Sequence, residues 1–377
     1  MKQKISLAVA GLLLSTSAFA LEGAYGALEG TLGLRGILIK PKDKTEKDFG
    51  TGNAHLRLAY TTPSFAGFSA KVEGIGNAKL YEKEKKQYDR LFQNKALLTQ
   101  GYLQFAIKDA ISIKTGRYKS DLEWFRYYNQ GAIAEISLPY TLVSIGYSNK
   151  NSESHINKSE DFHKPFFDDD STIKAKKGVY LIDIQNESLG IVKFNPYYYQ
   201  MPDYGRFFGL KLDFDEKYFD LALQYAKSKY NNKIVQDGDG SIATIETALK
   251  ITEKDRLFAG YIKADKKYGA KLITSFGKKN PFEDGDYLYD PNAKTWYVGA
   301  NVTDNRSIVT YGALYGNTTY DDIGSHKSLK NKELNLSVDF NITKALDIGF
   351  MFVLDDNHNN GDNLDYKKYL LGVWYNF

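Results

Sequence analysis

The sequence predicts an all-β fold: a transmembrane antiparallel β-barrel of about 18 strands, with one loop folded inward to constrict it. Three observations predict it. The chain is rich in Tyr and Gly and poor in Met, segments of roughly 8–11 residues alternate apolar with polar side chains, and short connections alternate with long, charged ones.

Composition removes most other classes. Of 377 residues, 42% are hydrophobic and 14% aromatic, with 29 Tyr, 22 Phe, 32 Gly and 8 Pro. Such an aromatic load is incompatible with intrinsic disorder. Zero cysteines exclude disulfides, thiolate metal sites and cysteine catalysis, and suit an oxidising compartment. The net charge of +4, from 50 Lys and Arg against 46 Asp and Glu, is too small to indicate a nucleic-acid partner.

The N-terminus reads as an address label. Lys2 and Lys4 precede an apolar run from Ile5 to Leu14, and Ala18-Phe19-Ala20 offers small residues at both positions that a signal peptidase inspects. Residues 1–20 are therefore expected to be a Sec-type signal peptide cleaved after Ala20, leaving 21–377 as the barrel domain. The apolar run is too short to span a bilayer as a helix, which needs about 20 residues.

Alternation with a period of two defines the strands. In the last segment, Tyr369, Leu371, Val373, Tyr375 and Phe377 share one face, opposite Lys368, Leu370, Gly372, Trp374 and Asn376. The same split places Leu334, Leu336, Val338 and Phe340 opposite Asn335, Ser337 and Asp339. The pattern gives strands over 29–39, 53–61, 66–77, 96–107, 111–118, 131–138, 141–148, 178–186 and 189–199 in the first half. The second half adds 205–214, 217–226, 241–251, 255–263, 294–303, 305–316, 330–341, 344–353 and 367–377. Residues 268–276 also alternate, but a strand there would break the even count, so they are assigned to a long loop over 264–293, as a local strand above the membrane. The polar faces carry Lys, Arg, Asp and Gln, so the apolar face is expected to be the buried one in every strand. When lipid is what buries it, the sheet must close, because an open edge cannot sit in hydrocarbon.

The connections agree. Tight turns, such as 108–110, 139–140 and 341–344, alternate with segments read as long at 40–52, 78–95, 119–130, 149–177, 200–204, 227–240, 317–331 and 354–367. Short turns at one rim and long loops at the other are the outer-membrane barrel arrangement.

On these residues, together with Gly116-Arg117-Tyr118-Lys119-Ser120-Asp121-Leu122-Glu123-Trp124-Phe125-Arg126, Asn129-Gln130-Gly131 and the terminal Val373-Trp374-Tyr375-Asn376-Phe377, the chain resembles bacterial outer-membrane porins. It is most similar to the OprD-like family as represented in Campylobacter-type bacteria. The resemblance implies a monomeric or homotrimeric channel in the bacterial outer membrane that passes small hydrophilic solutes and ions by passive diffusion, narrowed by a loop folded into the lumen. It implies no cofactor and no enzymatic activity. The partners it implies are outer-membrane lipid and lipopolysaccharide, and the barrel-assembly machinery, for which Phe377 with Tyr375 looks like the recognition signal.

Turning the apolar face outward sends Arg35, His55, Arg57, Lys71, Glu73, Lys114, Asp183, Lys193, Lys211 and Asp213 inward. Arg35, Arg57, Lys71 and Lys114 come from neighbouring early strands, so they form a basic patch of the kind that favours anionic or carboxylate-bearing solutes. The resemblance adds Arg117 and Arg126 at the inward loop, with Asp121 and Glu123 as the acids facing the bases. Arg117 has outward parity, and only a bulge near Gly116 would turn it in. Asp168 to Asp170 and Asp237 to Gly240 lack the full spacing of a calcium loop. The five His lie in separate segments with no i, i+4 pair, which leaves no metal or hydrolase centre to assign. A barrel enzyme of lipase or protease type is the rival class, and it needs a Ser/His or Asp/His constellation that the spacing does not supply.

Overall fold

The computed structural model describes residues 21–377 apart from 24, 165–175, 232–238, 271, 275–279, 286, 305, 323–326 and 359–364. The expected signal peptide, Asp168 to Asp170, Asp237, Gly238 and His326 lie outside the described residues.

The barrel strands are β1 (Gly26–Pro41), β2 (Phe49–Thr61), β3 (Phe68–Glu82), β4 (Ala96–Ile107), β5 (Ile111–Leu122) and β6 (Phe125–Leu138). They continue with β7 (Thr141–Ser152), β8 (Val179–Asn186), β9 (Val192–Met201), β10 (Gly205–Asp215), β11 (Phe219–Tyr230) and β12 (Ser241–Lys250). The last six are β13 (Arg256–Ala264), β14 (Lys294–Thr303), β15 (Val309–Asp321), β16 (Ser328–Asn341), β17 (Leu346–His358) and β18 (Tyr366–Asn376). Each pairs antiparallel with its sequence neighbours, and β18 pairs with β1, from Thr31 opposite Asn376 to Pro41 opposite Tyr366, so the sheet closes. The expected count of eighteen therefore stands, and among the described residues no helix is long and apolar enough to cross a membrane.

Lipid-type alternation is visible in the exposure of neighbours. Phe207 is fully buried while Phe208 is 45% exposed, and Leu370 is buried while Leu371 is 54% exposed. Large apolar side chains left open in this way face the bilayer.

Three features differ from the sequence reading. The strands run further toward the long loops than alternation indicates, β5 to Leu122, β15 to Asp321 and β17 to His358. Backbone pairing continues above the hydrocarbon, where neither face needs to be apolar and the alternation stops. The expected long connection 119–130 is thus a hairpin of paired strands, closed by Leu122 opposite Phe125. Residues 268–276 form no strand among those described: Ala270, Leu272 and Ile273 are instead buried in an apolar cluster with wall residues Leu181, Tyr199, Phe207 and Ile262. Apolar side chains therefore occupy both faces of β8 to β10, contrary to the expectation that only outward faces are apolar.

The seam between β18 and β1 is completed by the last residue. Phe377 donates its N–H to Gly30 O at 3.0 Å, and Gly30 N–H donates to Phe377 O at 2.7 Å. The Phe377 ring lies over Gly30, where an added Cβ would come within 2.1 Å of it. Deleting Phe377 is expected to lower the yield of heat-modifiable barrel severalfold, whereas Phe377→Tyr keeps the ring and the backbone bonds and is expected to match the parent on the same gel.

Candidate functional site

The β5–β6 hairpin divides the lumen. At its base Gly116 stands opposite Gly131, with a register shift between Gln130 and Gly131. Gly116 has φ of +123°, and a Cβ there would meet Gly101 O at 2.3 Å, so glycine is required where the hairpin leaves the wall. Leu122, Trp124 and Phe125 at the tip are buried in the apolar cluster with Tyr197, Tyr199 and Phe207 of β9 and β10. Glu123 reaches Lys211 of β10 at 3.3 Å, and Lys211 also pairs with Asp213 at 3.2 Å.

The loop between β13 and β14 fills the same side. Phe282, Leu288 and Tyr289 join the cluster. Glu283 N–H donates to Asn335 Oδ1 at 2.8 Å and Gly285 N–H to Glu333 Oε2 at 2.9 Å, so the loop backbone satisfies polar groups on the inner face of β16. Its acids hold Lys368 of β18, Asp284 at 2.6 Å and Glu283 at 3.2 Å.

What remains open is a cavity of about 610 Å³ on the β1–β4 side. It is lined by Thr31, His55, Arg57, Lys71, Glu73, Ile75 and Gln100 from the wall, by Lys119, Asp121, Arg126, Tyr127 and Tyr128 from the hairpin, and by Ser154, His155, Ile156 and Trp374. Four cationic side chains thus face it against two carboxylates, Glu73 and Asp121. Glu73 is almost fully buried and fully engaged. Arg57 donates to it from Nε at 3.0 Å and Nη2 at 2.7 Å, and Thr99, Gln100 and Tyr128 each donate at 2.8 Å. Lys71 lies 3.8 Å from Glu29. Lys119 and Arg126 form no ion pair among the described residues, and Asp121 is the cross-strand partner of Arg126.

Of the residues singled out in the sequence, His55, Arg57, Lys71, Glu73, Asp121 and Arg126 meet at this cavity. The others are placed elsewhere. Arg35 lies over the Trp374 ring at 5.9 Å. Lys114 pairs with Glu135 of β6 at 3.4 Å. Arg117 donates to Leu98 O at 2.9 Å and stacks on Phe162 at 4.3 Å. Lys193 pairs with Glu187 at 2.9 Å, at the short-turn rim. Asp183 is buried on β8, accepting from Asn195 at 2.7 Å. Among residues not singled out, Lys119 and Tyr128 share the strand face of Asp121 and Arg126, a parity that a hairpin reading of 119–130 would have exposed. Trp374 was already on the polar face of the last strand. His155 and Ile156 come from a loop, and no sequence signal marks them.

The loop segment is held by its own charges. Ser154–His155 pairs with Lys158–Ser159, and Glu153 lies 3.0 Å from Lys158 and 3.5 Å from His155. Burial works against ionisation of Glu153, but hydrogen bonds and charge from His155 and Lys158 outweigh it and hold its carboxyl down at about 2. A carboxyl depressed in the fold stabilises above its ordinary 4.5 and loses that contribution as pH falls toward 2. Single-channel current noise is therefore expected to stay flat from neutral pH to about 4.5 and to rise between there and 2, with Glu153→Gln noisy throughout.

A family model described as a putative outer membrane protein matches residues 40–220. No curated protein matches the chain. Among solved structures, the outer membrane protein OpdK from Pseudomonas aeruginosa is 13% identical at a TM-score of 0.73, covering 93% of this chain and 98% of that one. Acinetobacter baumannii OccAB4 gives 15% and 0.73 over the same shares, 93% and 98%. A BenF-like porin from Pseudomonas fluorescens Pf-5 gives 11% and 0.77, covering 95% of this chain and 100% of its own. The fold is that of the OprD-like porins. As in the sequence reading, its short turns lie at one rim and its long loops at the other.

Two cations of the porin-type cavity should behave differently. Arg57→Gln strands the buried Glu73 carboxylate and is expected to cost about 3 kcal/mol, read from the urea midpoint of refolded barrel. Lys71→Gln, whose nearest acid is 3.8 Å away, is expected to move that midpoint little.

Proposed function

We propose that the chain is a channel for passive diffusion of small hydrophilic solutes, favouring anionic or carboxylate-bearing ones. The observation that carries this reading is the cavity: four cations and two carboxylates facing one confined space, with one of those carboxylates consumed by Arg57. A permeant confined there lies within a Debye length, about 8 Å, of the lining side chains, so Lys119 and Arg126 act on it with little screening. Confinement beside low-dielectric walls focuses that field. Tyr127, Tyr128 and Trp374 add apolar and aromatic surface to the same cavity, which suits a carboxylate with an unsaturated body. OpdK has been solved with vanillate, a molecule of that chemistry, and this likeness supports the reading.

The test is electrical. In a planar bilayer under a salt gradient, the parent channel is expected to give a reversal potential on the anion side. Lys119→Gln with Arg126→Gln is expected to shift it toward cations while conductance persists, because both side chains are exposed and neither holds a buried partner. A cation-selective parent, or a double variant with an unchanged reversal potential, refutes the anionic preference. A folded barrel with no conductance refutes the channel itself.

A further inference from the structure

Three cross-strand pairs among the described residues bring two cations face to face: Lys40 of β1 with Lys367 of β18, Arg206 of β10 with Lys229 of β11, and Lys263 of β13 with Lys294 of β14. Directly opposed side chains in a sheet sit about 5 Å apart at Cβ, so each pair repels and destabilises its own ladder. All six side chains are exposed, and none has an ion-pair partner among the described residues.

Their placement is not scattered. Each lies within two residues of its strand's end at the long-loop rim. Each also has outward parity: Lys263 follows exposed Tyr261, Lys294 precedes exposed Trp296, Arg206 precedes exposed Phe208, and Lys367 shares its face with exposed Leu371. Along β1 the outward positions from Leu28 to Leu38 carry Leu or Gly, and Lys40 is the first charge above them. Ten residues at about 3.3 Å, tilted by roughly 40°, span about 25 Å, the height of the lipid belt. The pairs therefore stand where the hydrocarbon ends. At the opposite rim the outward strand ends are apolar, as at Phe68, Ile107, Leu257 and Phe340, all of them exposed. Snorkelling alone would place cations at both rims.

We infer that these pairs bind the phosphate groups of the glycolipid in the leaflet at the long-loop rim, each pair clamping an anion between its two side chains. Three clamps on separate arcs of the barrel would hold a partial annulus of lipid. A phosphate converts each repulsion into a bridge, which explains why the like charges are opposed rather than staggered.

The experiment uses purified full-length barrel in detergent, incubated with bisphosphorylated lipid A, with fully dephosphorylated lipid A, or with inorganic phosphate alone, and read by native mass spectrometry. The parent is expected to retain the phosphorylated lipid and not its dephosphorylated form. Each pair changed to Gln (K40Q with K367Q, R206Q with K229Q, K263Q with K294Q) is expected to lower retention about tenfold or more at its own arc, while heat-modifiable migration and conductance are unchanged. Equal retention of the two lipids, or full retention when all six are Gln, overturns the inference. Retention of inorganic phosphate with no preference for the lipid assigns the pairs to the free anion and overturns it as well. The pairwise variants decide the matter if the sixfold variant fails to fold. Channel selectivity plays no part in the readout, so the outcome is independent of the proposed function.

Discussion

The constraint on which everything else rests is that hydrocarbon offers no hydrogen-bond partners. Each backbone N–H and C=O at membrane depth must be paired within the sheet, and an unpaired edge would cost several kcal/mol for every exposed group. The chain meets this by returning β18 to β1 and by using its final residue to complete the ladder at Gly30. Once the sheet is closed, the even strand number, the short turns at one rim and the outward apolar faces all follow. The interior becomes a space to be filled by whatever the sequence can spare from the wall.

How that space is filled distinguishes this barrel from a uniform pipe. The arc from β8 to β16 is packed with aromatic and aliphatic side chains from the wall, the hairpin tip and the loop before β14. The arc from β1 to β4 stays polar and open. The hairpin is the partition. Its Leu122 and Phe125 face belongs to the packed side, and its Lys119, Asp121 and Arg126 face belongs to the open side. Charge in the lumen is thus concentrated by exclusion as much as by composition.

The barrel itself was legible because lipid imposes a strict period of two on every strand, and a side chain facing hydrocarbon cannot be traded for a polar one cheaply. Arg57 and Lys71 could be sent inward on the same parity. The interior was less legible because no comparable rule governs it. The diagonal contact of Arg57 with Glu73 follows from the β2–β3 register, which sequence parity alone does not supply. The apolar inner faces of β8 to β10 read as contradictions of the pattern until the hairpin and the loop are seen packing against them. His155 and Ile156 reach the cavity through tertiary folding of a loop whose residues carry no periodic signal.

The partition has a mechanical corollary. Along the first strand of the hairpin, alternate residues serve opposite compartments, Tyr118 and Leu122 the dry one and Lys119 and Asp121 the wet one, with Gly116 opposite Gly131 fixing where the count begins. Inserting a single residue between Gly116 and Lys119 would exchange the two faces at once, driving Lys119 and Asp121 into the aromatic packing and turning Leu122 toward water. Two properties that look separate, the cohesion of the packed arc and the charge of the open one, are therefore encoded in a single phase of the chain. Length variation in this segment should be restricted to pairs of residues, and individual substitutions on the open face can then retune the cavity without disturbing the partition that frames it.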